Sequence, residues 1–272
     1  MMALIVITSG KSSPGTTTTV AALTYGWPAP LVLADCDPAG GDLATGWLSP
    51  WWLTGKLHPD QGLLSFSTAT RHTTTITADL LAPHLQPVPP APRARLLAGL
   101  ADPAQAISLQ EGGWTRLAQA LTALGTMPNG PVDVLVDGGR LTAEAEVPWP
   151  VLEAADLVLL AVRPVPRHLH SAQPALTLLR QRIPTERLGL AVCGTGQLGV
   201  REAHTVLGIP ARLGLPEDPD TAQVFSDGLP AEAKVHRTKL ARTAARAASR
   251  LHEAGATIRR SHWMPTNTGV AR

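Results

Sequence analysis

Short apolar, β-branched runs alternate along the chain with stretches whose apolar positions recur at helical spacing. Runs at residues 3–8, 31–34, 84–88, 132–136, 157–162, 188–192 and 211–215 are nearly continuous in apolar content, the pattern of parallel strands covered on both faces. Helices are expected from Thr17 onward and over residues 114–124, 142–154, 168–182, 201–207 and 234–253. Strand, helix and strand in strict alternation predict a single doubly wound, mostly parallel β-sheet flanked by helices. The proline-rich piece at residues 87–92 reads as a strand-exit loop and not a linker, because apolar runs flank it on both sides. Residues 1–256 are therefore expected to form one domain, and residues 257–272, which lack periodicity, a flexible C-terminal tail.

Composition narrows the picture. Hydrophobic residues are 44% of the 272 and charged residues 16%, so the chain can bury a substantial core and is not of a disordered type. Apolar runs such as Leu157 to Val162 fall far short of the ~20 residues of a membrane span, and no basic residue precedes the first apolar stretch. Export and membrane insertion are disfavoured, and a cytoplasmic location is expected, with peripheral attachment to membrane or nucleoid left open. The two cysteines, Cys36 and Cys193, form no closely spaced pair, so neither a disulfide framework nor a zinc site is suggested. A formal charge of +2 argues for no nucleic acid by itself, and none of the nine histidines has metal-ligand spacing.

Three segments carry candidate chemistry, each at the carboxyl end of an expected strand. After the first comes Ser9-Gly10-Lys11-Ser12-Ser13-Pro14-Gly15-Thr16-Thr17-Thr18. Gly10 and Gly15 have the glycine spacing of G-x-x-x-x-G-K-[ST], in which the backbone turns tightly and aims amide N–H groups at phosphate oxygens. Thr16 stands where that pattern has its phosphate-binding lysine, while Lys11 directly follows the first glycine. After the second strand, Asp35-Cys36-Asp37-Pro38 presents two carboxylates of the kind that hold the waters of Mg²⁺ and orient an attacking water. The third segment, Val132 to Arg140, is an apolar strand ending in Asp137-Gly138-Gly139. Any one of these alone also fits an ordinary turn.

Taken together, in this order, the three segments resemble the deviant Walker A loop, switch I and Walker B strand of the MinD/ParA group of P-loop ATPases. The resemblance extends to about residue 230, with Leu215-Pro216-Glu217-Asp218 similar to the loop near the adenine. It implies a P-loop NTPase fold and ATP with Mg²⁺ as ligands. Nucleotide contacts would come from Gly10, Lys11, Ser12, Ser13, Pro14, Gly15, Thr16, Thr17, Thr18 and Pro216. The metal would be held through Thr17, Asp35 and Asp137. Lys11 would reach the partner's phosphates across an ATP-bound homodimer, and Asp37 would orient water. The implied role is a nucleotide-dependent switch that positions or regulates a larger assembly, with slow hydrolysis because Thr16 replaces the loop lysine. The alternative is a scaffold that has lost hydrolysis. At Gly194, where many members of the group place an adenine-reading Asn, the amide is absent.

Two further stretches are candidate partner surfaces. Trp47, Trp51 and Trp52 cluster beyond the switch-like segment, with local core packing as the plainer reading. The last long helix carries Lys234, Arg237, Lys239, Arg242, Arg246 and Arg250 beside a narrow, Ala-rich apolar stripe. Packing against the sheet with a solvated basic face is expected of it, and that face offers charge for DNA phosphates or anionic lipid.

Overall fold

The computed structural model describes residues 1–10, 14–58, 60–141, 147–230 and 234–263. Eight strands form one sheet: β1 (Leu4–Ser9), β2 (Leu31–Asp35), β3 (Gln86–Pro87), β4 (Ala94–Leu97), β5 (Asp133–Arg140), β6 (Leu157–Val162), β7 (Leu188–Cys193) and β8 (Ala211–Leu215). Their order across the sheet is β3-β4-β2-β5-β1-β6-β7-β8, and every neighbouring pair is parallel apart from the antiparallel edge pair β3–β4. The chain winds outward from β1 in one direction and then in the other, so the cleft at the carboxyl ends of β1, β2 and β5 lies at the topological switch point, where ligands bind in open α/β sheets.

The described α-helices are α1 (Thr16–Tyr25), α2 (Ser49–Trp52), α3 (Leu63–Thr70), α4 (Ile107–Gln110), α5 (Gly113–Ala123), α6 (Trp149–Ala154), α7 (Pro166–Arg182), α8 (Val200–Leu207), α9 (Pro219–Asp227) and α10 (Lys239–Trp263). Strand alternation sorts the core into two layers. Leu4 and Val6 of β1, with Val158, Leu160 and Val162 of β6, pack under α3, α5, α6, α7 and α8. Ile5 and Ile7, with Leu157, Leu159 and Ala161, pack under α1, α9 and α10. Burial on both faces explains why these strands read as continuous apolar runs.

The structure departs from the expected elements at three places. Residues 84–88 do not form a parallel strand: a 3₁₀ helix runs to His84 and only Gln86 and Pro87 pair, as an antiparallel edge. Pro87 has no N–H to donate, which suits an edge and not a sheet interior. The parallel strand of that region is β4, beyond the proline-rich turn. The helix expected over residues 142–154 starts at Trp149, after Pro148, and residues 142–146 lie outside the described residues. The last helix begins at Lys239 and continues to Trp263, so residues 257–263, expected in a flexible tail, are helical.

The long helix α10 buries Leu240, Ala241, Ala244, Ala247, Ala248 and Leu251 and exposes Lys239, Arg242, Arg246 and Arg250. Its small residues allow close approach: a Cβ on Gly26 would lie 2.7 Å from Ala245, and one on Gly255 would lie 2.7 Å from Ala3. Two buried carboxylates fasten it to the amino edge of the sheet. Asp133 accepts the Ala3 amide (2.8 Å), the Trp27 indole N–H (2.9 Å) and a bond to His252 (2.6 Å). Asp156 accepts the Leu4 amide (2.7 Å) and Arg259 Nε (2.9 Å). Trp47 is buried against Phe225, and Trp51 and Trp52 are half-buried on the same layer, so the tryptophan cluster is in large part core. Among the described residues, no helix is long and apolar enough to cross a membrane.

Candidate functional site

The turn from β1 into α1 is built on two glycines with different reasons. A Cβ on Gly10 would lie 3.1 Å from Ala175 and 3.4 Å from the α7 backbone, so the loop passes tightly over α7. Gly15 has φ +99° and nothing within 4 Å of its missing Cβ, so it is needed for the left-handed turn that starts the helix. Among the described residues no side chain caps α1, and its first turn holds no acidic residue. The orphan N–H groups and the positive end of the helix dipole therefore open into a cleft of about 670 Å³, lined by Gly15, Thr16, Thr17 and Thr18. Thr16 is 92% buried, since its exposure is 8%, and its hydroxyl has no hydrogen-bond partner among the described residues. A buried donor left unpaired in this way suits a bound acceptor such as a phosphate oxygen. Lys11, Ser12 and Ser13 lie outside the described residues.

Opposite α1 stand the carboxylates. Register pairing sets Asp35 beside Asp137 on adjacent parallel strands, and both are 1% exposed. Gly41 and Gly99 enclose the Asp35 carboxylate, which accepts the Leu43 amide at 3.1 Å; a Cβ on Gly41 would sit 2.6 Å from an Asp35 oxygen. Burial, and then the charge of Asp137, push the Asp35 carboxyl well up from its ordinary value. Asp137 is pushed up to about 6 by burial above all, with Asp37 and Asp42 adding to it, against hydrogen bonds from the Thr17 hydroxyl and the Gly139 amide. Asp37 is half-buried and lines the cleft with Asp42, and its carboxyl is also raised, chiefly by burial. It packs so closely on Gly139 (φ +60°) that a Cβ there would lie 2.2 Å from the carboxyl carbon.

This donor set fits a hydrated divalent cation. Among the described residues, no group of three or more His, Cys, Asp or Glu side chains is placed to grip a metal directly. A hydroxyl at Thr17 and three acid groups at graded depth can instead hold a cation that keeps most of its waters, as Mg²⁺ does.

A second cleft, of about 220 Å³, shares Gly15 and Thr18 with the first and continues along α1 to Pro14, Thr19, Cys193, Gly194, Leu215 and Pro216. At its mouth Arg163 Nη2 donates to both Glu217 oxygens (2.8 and 3.0 Å), and Glu217 also accepts the Thr195 amide at 3.0 Å. These contacts, the Thr195 amide first, hold the Glu217 carboxyl below its usual range. A Cβ on Gly194 (φ +75°) would lie 2.4 Å from that carboxylate, so here a side chain is replaced by Glu217. Cys193 is buried beneath, its thiol pushed up to about 11 mainly by desolvation, which disfavours the thiolate that a nucleophile needs.

The structure thus gathers Gly15, Thr16, Thr17, Thr18 and Asp37 around one cleft, with Asp35 and Asp137 under its floor and Pro14 and Pro216 in the adjoining one. It also places there Ser9, Asp42, Arg140, Ser226 and Asp227, which local sequence reading left out. Asp42 and Arg140 adjoin recognisable motifs, whereas Ser226 and Asp227 arrive from the end of α9 and have no local signal.

No family model and no curated protein matches the sequence. Solved structures do match. The cell division ATPase MinD of Pyrococcus furiosus superposes with a TM-score of 0.69 at 17% identity, covering 93% of this chain and 99% of that one. A ParA family ATPase from Chlorobium tepidum gives 0.66 at 18%, covering 92% and 99%. The septum site-determining protein MinD of Pyrococcus horikoshii, complexed with Mg-ADP, gives 0.63 at 16%, covering 95% and 99%. Together with the sheet order and the cleft, these matches establish that this chain has the fold of the MinD and ParA P-loop ATPases.

Proposed function

We propose that this protein binds ATP with Mg²⁺ and works as a nucleotide-dependent switch that positions or regulates a larger assembly. The observation that carries the reading is the start of α1, where among the described residues no side chain makes a cap and the buried Thr16 hydroxyl has no partner, beside a cleft whose other wall is acidic. Phosphates would lie on the Gly15–Thr18 amides, with Gly10, Lys11, Ser12 and Ser13 completing the loop. The base would occupy the smaller cleft beside Pro14 and Pro216. Mg²⁺ would supply charge neutralisation between phosphate and acid. Thr17 would ligate it, while Asp35 and Asp137 would hold its waters and Asp37 would orient an attacking water. By resemblance, Lys11 would serve the partner's nucleotide in an ATP-bound homodimer. The exposed basic stripe of α10 offers a surface for DNA or anionic lipid, and because its apolar face is already buried, such contact would be electrostatic.

A second reading, a scaffold without hydrolysis, is favoured by one observation: Thr16 stands in place of the loop lysine, so α1 itself brings no cation to the phosphate side of the cleft. Equilibrium titration with ATP and ADP, with and without Mg²⁺, while light scattering follows mass, separates the two. Mg²⁺-dependent ATP binding with a monomer-to-dimer shift that ADP does not produce supports the switch. ATP binding without a mass change points to the scaffold, and no binding at millimolar ATP refutes the switch and leaves a nucleotide-free scaffold. Asp37→Ala should keep ATP binding and stop phosphate release, and Lys11→Ala should weaken ATP-dependent dimerisation.

A further inference from the structure

Among the described residues, the phosphate side of the cleft is short of positive charge. Asp37, Asp42 and Asp227 line it, Asp35 and Asp137 lie beneath, and Thr16 occupies the usual lysine position. The one cation among the described lining residues is Arg140, at the end of β5.

Its placement there is a product of backbone irregularity. Ile7 pairs with Asp137 and Ser9 with Arg140, so two steps along β1 match three along β5. In a regular strand, residues three apart point to opposite faces of the sheet. One extra residue reverses the alternation and turns Arg140 to the face of Asp137, above the same cleft. The extra residue is accommodated at Gly139, whose φ of +60° few other side chains tolerate. Hydrogen bonds lock the irregularity in place: the Thr8 hydroxyl donates to the Gly139 carbonyl (2.9 Å) and the Leu141 amide to the Ser9 carbonyl (2.8 Å). Arg140 itself is exposed and has no hydrogen-bond partner among the described residues, so structural support does not explain it. Its charge acts on Asp37, which rests on Gly139.

We infer that Arg140 supplies, within the same chain, the positive charge on the outer phosphates that the loop lysine would supply if it stood at Thr16. The inference rests on the reading of this cleft as a nucleotide site. A guanidinium suits the task, because its planar fork can bond two phosphate oxygens at once and it keeps its charge beside a carboxylate. Bound phosphates would draw it from the field of Asp37 and leave that carboxylate free to orient water.

The test is calorimetric titration of the full chain with Mg-ATP and, separately, AMP, on wild type, Arg140→Gln, and Arg140→Gln combined with Thr16→Lys. Arg140→Gln should weaken Mg-ATP binding by about 10- to 100-fold and leave AMP, which lacks the outer phosphates, unchanged. The double variant, once shown by its melting curve to be folded, should regain most of the loss. Unchanged Mg-ATP binding in Arg140→Gln overturns the inference, and so does an equal loss of ATP and AMP. A folded double variant that stays as weak as Arg140→Gln also overturns the equivalence of the two positions. Wild type that binds neither ligand refutes the nucleotide reading itself, so the two failures are distinguishable.

Discussion

Asp137 receives hydrogen bonds from the Thr17 hydroxyl and the Gly139 amide, yet its carboxyl is pushed up to about 6, because burial beside other acids outweighs them. An unfolded aspartate titrates near ~3.9, so between about 4 and about 6 the folded state holds more protons than the unfolded one. Stability contributed by this group is therefore present at low pH and lost as pH rises through that window. A rise of this size corresponds to about 2–3 kcal/mol. Asp137→Asn is nearly isosteric, keeps one acceptor oxygen and removes the charge. Without divalent cations, the variant should be more stable than wild type at pH 7 by about that amount, with the gap closing toward pH 4, as read by urea unfolding. Mg²⁺ should narrow the gap at pH 7, since the cation relieves the same repulsion. A gap that is independent of pH would show that the charge of Asp137 does not destabilise the fold. Asp35, pushed up by burial and by Asp137, adds to the same cost of keeping acids under the cleft, a cost expected at a functional site and not in a structural core.

The helix α10 shows what a packed element needs beyond its apolar stripe. Arg259 and Asp156 are nearly enclosed, with side-chain exposures of 11% and 8%. Burial raises the Asp156 carboxyl, and the Leu4 amide and Arg259 oppose it. Arg259→Ala strands a buried carboxylate and should cost about 3 kcal/mol at pH 7. The loss should shrink toward pH 5, because the orphaned acid, its value raised further, then takes up a proton in the folded state. Thermal unfolding at the two pH values checks this, and an equal loss at both would mean that packing alone is at stake. Sequence periodicity could find α10 but not this fastening, since Asp133 and Asp156 lie far away in the chain. The same limit governs the other elements. β1, β2, β5, β6, β7 and β8 were legible because burial on both faces leaves continuous apolar runs. In β4, Arg95 interrupts a four-residue strand near the sheet edge, and α3, LLSFSTAT, is rich in Ser and Thr that helices do not favour intrinsically. Even α9, whose Asp218 side chain accepts the Thr221 amide as a helix cap, is short and only partly apolar. Within the site, the loop glycines, Asp37 and Asp137 are readable because each sits in a local motif. The turn of Arg140 into the cleft depends on register against β1, and the Arg163–Glu217 pair joins residues 54 apart in sequence.

Over the whole molecule the formal charge is +2, but the cleft at the switch point is acidic. Exposed basic residues are carried elsewhere, on α10 among other places, where they face solvent. A polyphosphate approaching that cleft meets Asp37, Asp42 and Asp227 with Arg140 as the counter-charge among the described lining residues. At 4 Å, two like charges at an effective dielectric of about 20 repel by about 4 kcal/mol, more than one guanidinium contact returns. The proposed nucleotide must therefore arrive with its cation. ATP in excess EDTA should leave the melting temperature unchanged. Mg-ATP at about 100 times its Kd should stabilise by about 2.7 kcal/mol, a shift of about 5 °C for a chain of this size. Mg²⁺ alone should give a small part of that shift, through Asp35 and Asp137, and Asp137→Asn should lose that part. Equal stabilisation by ATP with and without Mg²⁺ would mean that the phosphates bypass the acidic wall altogether, and the assignment of this cleft to them would have to be given up.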